Sequence, residues 1–317
     1  MADDRNAALA IHQPRLPRAQ RELPGIDRRP VLAIAKLTVK EALRRKLLLA
    51  LMILTFLVIT MTVWGVSRLS TVTTGNGQPI TPLELKAVVS QLLIVIMFMF
   101  AFVLAISTVF VASPAISSDL ESGIALAVLT RPVSRAEYVL GKWLGLSALA
   151  AVYAGGAALI EILLVDLVVG YLPPNTLVFV LYLVGHVVIL LTLALLVSTR
   201  LSGMTAGVVT LGVFGLAWFG GIAAGIGEAF NNSTITTVGY VTKLILPTDA
   251  FWRGAVYSLQ PAAEIALYRS SGTSGRAASA NPFFAAAPPT DQFLLWSAVW
   301  VLAVLALAIY SLRRREI

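Results

Sequence analysis

The chain has 317 residues, 58% of them hydrophobic and only 13% charged, with a formal charge of +8. Soluble domains run nearer a quarter charged, so this composition excludes an ordinary soluble domain, points to a membrane protein, and gives no expectation of a nucleic-acid partner. With no cysteine, neither a disulfide framework nor a thiolate metal site is available.

Residues 1–30 are rich in Arg, Pro and Ala without periodicity and are expected to form a flexible basic tail. From Val31 to Lys46 the pattern turns helical. Leu32, Ala35, Val39, Ala42 and Leu43 are expected on one face, with Lys36, Lys40 and Arg44, joined by Arg45, on another. A basic amphipathic helix just before a span should lie in the interface, its cations toward anionic headgroups. No cleavage pattern follows this segment, so a removable signal peptide is not expected.

Six apolar runs follow, at about 47–66, 87–112, 143–169, 176–198, 203–223 and 293–312, each near or above the ~20 residues a bilayer core requires. The expected class is therefore an all-α polytopic membrane protein, with a six-span domain over 31–317. Thr81-Pro82-Leu83-Glu84 carries an N-cap, a proline at the first helical position and a capping glutamate, so a helix should start there. The fifth run is glycine-rich, and Gly203 and Gly207, four apart, suit a close helix crossing.

Between the second and third runs lies a polar loop, 113–142. Ser118-Asp119-Leu120-Glu121 and Ser134-Arg135-Ala136-Glu137 are both capping-box patterns, so two helix starts are expected. Pro132 should break the first of these helices near its end. A second large polar segment, 224–292, holds an apolar stretch, Pro247-Thr248-Asp249 and a Trp/Tyr-bearing run. Thr248 or Asp249 is expected to cap a short helix that re-enters without spanning. The stretch 269–282 reads as a mobile linker. With the N-terminus inside, Lys and Arg number eighteen on the inner segments and six on the outer, which places both termini and the 113–142 loop in the cytoplasm.

The central loop resembles the coupling segment of ABC-2-type transporter permeases, the membrane subunits of ABC exporters. The residues that carry the likeness are Glu121 and Gly123, Leu126 and Leu129, Pro132-Val133-Ser134-Arg135, and Gly141-Lys142 entering the third span. Glu41-Ala42-Leu43-Arg44-Arg45, the six runs, Pro247-Thr248-Asp249 and the basic ending at Arg313–Arg315 follow the same order. The resemblance implies the type V exporter fold, a second permease copy (same or different), and ABC ATPase subunits that hold ATP and Mg; this chain itself would bind no cofactor. Asp119, Glu121, Gly123, Arg131, Pro132, Ser134 and Arg135 would then meet the ATPase, and the second and fifth spans would line the route. Short members without a fused ATPase include the permease of nitrous-oxide-reductase maturation systems. The implied location is the inner or plasma membrane.

No Walker A sequence is present: Gly141-Lys142 is preceded by Ala136 where the first glycine belongs and followed by Trp143. His12 and His186 are the only histidines, so a metal site is not expected. Glu161, Asp166 and His186 fall inside apolar runs, where charge is costly. By helix rise, Glu161 and His186 lie at matching depths of ~12–15 Å, so the two are expected to pair across the third and fourth spans. Such a pair fixes helix register or handles substrate or protons. Two other classes stay open: a mechanical transmitter passing ATPase motion to an outer partner, and an intramembrane enzyme using these three groups as its acids and bases.

Overall fold

In the computed structural model, residues 28–44, 46–69, 81–125, 133–270 and 280–315 are described. The tail 1–27, Arg45, the turn 126–132 with Arg131 and Pro132, and most of the expected linker lie outside them. Every regular element among the described residues is helical. In order they are α1 (Arg28–Leu43), α2 (Lys46–Leu69), α3 (Pro82–Ala112), α4 (Pro114–Glu121), α5 (Arg135–Val169), α6 (Thr176–Ser198), α7 (Gly203–Ala229), α8 (Ser233–Ile245), α9 (Thr248–Leu259), α10 (Ala262–Ser270) and α11 (Asp291–Arg313). Six are long and apolar enough to cross a membrane: α2, α3 running on through α4, α5, α6, α7 and α11.

Two helix starts follow the expected chemistry. Thr81 and Glu84 cap α3 reciprocally with Pro82 at its head, and Ser134 and Glu137 do the same for α5. The third start does not form. The Ser118 hydroxyl donates to the Pro114 carbonyl at 2.5 Å instead of capping a new helix, because α3 continues past Ser113 into α4 with little interruption. Ser113 keeps helical angles at the joint, and Pro114, which has no N–H to return to the turn before it, marks the joint as the start of α4. The helix ends at Ser122, and Gly123 follows at φ +76°, a left-handed conformation that glycine adopts at no steric cost.

The face assignment of α1 is also revised. Ile34, Ala35, Thr38 and Ala42 are buried, while Leu32, Leu37 and Leu43 are exposed beside Lys36, Lys40 and Arg44. The buried face is the small one, because it crosses α5 at Gly141 and Gly145. A Cβ on Gly141 would lie 2.7 Å from that of Ile34, and one on Gly145 would lie 2.6 Å from the Ala35 carbonyl oxygen. Glycines four apart let the two backbones meet.

α6 is the axis of the bundle, packed by α3, α5, α7, α9 and α11. Its sequence is apolar all round, as a helix enclosed by other helices must be, and Leu183, Ile189, Leu190, Leu191 and Leu195 are buried. α7 meets the α3–α4 joint over Gly203 and Gly207, against Pro114 and Ser113. At the opposite end α8 folds back on α7, with Gly220, Gly227 and Gly239 at the crossing. The chain then breaks at Leu246-Pro247 and returns as α9. Pro247 occupies the cap position of α9, so neither Thr248 nor Asp249 is the cap. The break touches His186, ten residues into α6, and Trp300, nine into α11, about 15 Å down by helix rise and near the middle of a ~30 Å core. The α8–α9 pair thus enters and leaves the bundle from the same end, re-entrant in that geometric sense.

Candidate functional site

At the end of the bundle where α1, α4 and the start of α5 meet, the buried Asp119 carboxylate accepts from the Tyr138 hydroxyl at 2.6 Å and faces the Lys142 ammonium at 2.8 Å. Lys142 also reaches Glu41 of α1 at 3.5 Å. Tyr138 and Lys142 are four apart on α5 and so share a face. The result is a chain of polar contacts, Glu41–Lys142–Asp119–Tyr138, joining three helices. The side chains of Asp119 and Lys142 are 9% and 6% exposed, so each depends on the other to offset its burial.

Three arginines tie the same ends together. Arg135 donates to the Leu312, Arg313 and Arg315 carbonyls at 2.8, 2.7 and 3.0 Å. A guanidinium there satisfies carbonyls left unpaired by the last turn of α11 and complements its dipole. Arg200 donates to Ser311, through Nε to the hydroxyl at 2.8 Å and through a terminal nitrogen to the carbonyl at 3.1 Å. Arg315 returns the bond to the Thr199 carbonyl at 2.7 Å. Ser134 is occupied as the cap of α5.

The residues expected to meet a partner therefore divide. Asp119, Ser134 and Arg135 turn inward. Glu121 and Ser122 are exposed, with Ile124 beyond the Gly123 turn 54% exposed. Lys36, Lys40 and Arg44 are exposed along α1. Together they form a surface that is acidic and apolar at the tip of α4 and basic along α1. Glu41, Tyr138, Lys142 and Gly145 took no site role in the sequence reading. Their signal was the spacing: Gly141 and Gly145, and Tyr138 and Lys142, recur four apart.

Glu161 and His186 do not bond to each other. Glu161 accepts from the Thr62 hydroxyl of α2 at 3.0 Å, whereas His186 Nδ1 lies 3.2 Å from the Thr248 carbonyl oxygen at the re-entrant break. The packing of α5 on α6 sets the two at different levels: Trp143 meets Thr192 and Gly155 meets Val180, so Glu161 falls opposite the start of α6 rather than His186. Asp166 is half-buried in the last turn of α5, where its carbonyl accepts from Gly170 at 2.7 Å. The re-entrant pair carries its own charges: Asp249 holds Lys243 at 3.4 Å and Arg253 at 3.1 Å.

With this geometry in view, a family model described as ABC-2 family transporter protein matches residues 32–317. No curated protein matches the chain.

Proposed function

The chain belongs to the ABC-2 family of transporter proteins, and from that premise we propose that it is the permease half of an ATP-driven exporter, moved by separate ATPase subunits. In this reading it sits in the cell membrane with both termini in the cytoplasm, paired with a second permease copy. ATP and Mg belong to the partner. The observation that carries the reading is α4: a continuation of a span, stopped by a left-handed glycine, that presents Glu121, Ser122 and Ile124 outward while Asp119 holds it from behind. Motion at its tip is passed through Asp119 and Lys142 to α5 and α1. Asp119 and Arg135 then act inside the chain, as positioning residues, and contact with the ATPase falls to Glu121, Ile124 and the cations of α1. An exposed carboxylate beside an apolar side chain offers a charge-assisted contact and a small ridge for a groove.

The test is purification from native membranes in mild detergent, with the co-purifying proteins identified by mass spectrometry. A stoichiometric ATPase bearing a Walker A sequence is expected. Glu121→Ala combined with Ile124→Ala should remove it, or uncouple its ATP hydrolysis from transport, with the permease's own melting transition unchanged. Intact permease recovered without any ATPase overturns the exporter reading.

A further inference from the structure

Ala101 and Phe102 of α3, His186 of α6, Phe214 and Trp218 of α7, and Thr248 and the Asp249 carboxylate of α9 line a narrow, partly open cavity beside the re-entrant break. Most of its wall is aromatic: Phe102 and Phe214 lie 5.9 Å apart, and Phe214 meets the His186 ring edge-on at 5.7 Å. Such a wall should be dry, yet three of the residues each bring a buried polar atom with no partner in the protein. They are His186 Nε2, Trp218 Nε1 and Thr248 Oγ1. They come from three helices, and His186 and Thr248 are 6% and 1% exposed. Left unmade, three hydrogen bonds around one cavity would each carry the full cost of a desolvated polar atom.

We propose that this cavity is a hydration site, holding one ordered water that joins α6, α7 and α9 at the break. Its volume of ≈ 10 Å³ is about the least that admits a single water, and a buried water needs two to four polar partners. The chemistry of the three groups is complementary to one molecule. The Trp218 indole can only donate, so the water accepts from it. Because His186 Nδ1 faces a carbonyl oxygen, it is the protonated nitrogen; Nε2 is then an acceptor and takes a water proton. The Thr248 hydroxyl donates or accepts as the remaining position requires. The water thereby takes up polar groups exposed by the interruption of the chain at Pro247. It also tethers the tip of α9 through an exchangeable molecule. This inference stands independently of what the protein moves.

Synchrotron hydroxyl-radical footprinting of the full chain in lipid nanodiscs tests it, because radicals made from a bound water label the side chains around it. His186 and Phe214 should be oxidised at least about tenfold faster than Phe179, which is fully buried elsewhere in the bundle. Thr248→Val should reduce that labelling severalfold, and Ala101→Leu, which fills the cavity, should bring it to the Phe179 rate. Labelling of His186 and Phe214 at the Phe179 rate in the parent protein overturns the proposal. So does fast labelling that survives Ala101→Leu in a protein with an unshifted melting transition. If Ala101→Leu fails to fold, the Thr248→Val comparison decides alone.

Discussion

At Lys142 and Asp119, two charges are buried in contact at 2.8 Å, with Glu41 completing the pair from the surface. Removing one partner leaves the other charged and buried, so Lys142→Ala should lower stability by about 3–5 kcal/mol, read from thermal unfolding in detergent. Glu41→Ala should cost far less, its side chain being 47% exposed. Glu264 of α10 behaves differently. Burial raises its carboxyl above the ordinary range, and the Gln91 amide that donates to it counters this only in part. A carboxyl raised in the folded state contributes stability below its unfolded value, about 4.3, and loses it as pH rises through the folded value. Glu264→Gln should therefore flatten the fall in melting temperature as pH rises above about 4.3. Neither group's role was legible in the sequence. Glu161 and His186 show why: counting residues from each helix end assumes that the two ends are level, and the packing of α5 on α6 offsets them.

Among the elements, the crossing of α1 over α5 rests on Gly145 and Gly141. Gly145→Leu should lift α1 away. The chain lacks cysteine, so Thr38→Cys, on the buried face, reports this directly. It should resist a water-soluble maleimide in the parent background and react readily with Gly145→Leu, whereas Lys36→Cys should react in both. The six spans and two of the three capping boxes could be read from sequence because periodicity, proline and cap residues act within a few positions. The Ser118 pattern failed because a cap requires the preceding residues to leave the helix, and Ser113-Pro114 lets them stay. The faces of α1 were misassigned for a related reason. Its inward side is chosen by the glycines it meets a hundred residues later, which favour Ala35 and Thr38 over the larger Leu32 and Leu43.

Over the whole molecule, α11 contributes at its far end and at its middle. Its far end supplies the carbonyls that hold Arg135 and the Ser311 that holds Arg200. Midway, Trp300 donates its indole N–H to the Ile245 carbonyl at 2.8 Å, and Trp296 donates to Leu244 at 3.3 Å. These carbonyls end α8 at a depth where water is scarce, so they need a donor from elsewhere in the fold. Trp300→Phe should cost about 1–3 kcal/mol, again by thermal unfolding, with Trp64→Phe on the outer face of α2 close to neutral. The same contacts bear on how the protein is made. α11 follows every other described helix in the chain, and synthesis at roughly 5–20 residues per second delivers it last of them. Until it arrives, the re-entrant pair sits beside lipid with its broken backbone unsealed, and the arginines of the opposite end have nothing to grip. A nascent chain halted before Asp291 therefore lacks the contacts that close both the α8–α9 break and the Arg135 end of the bundle.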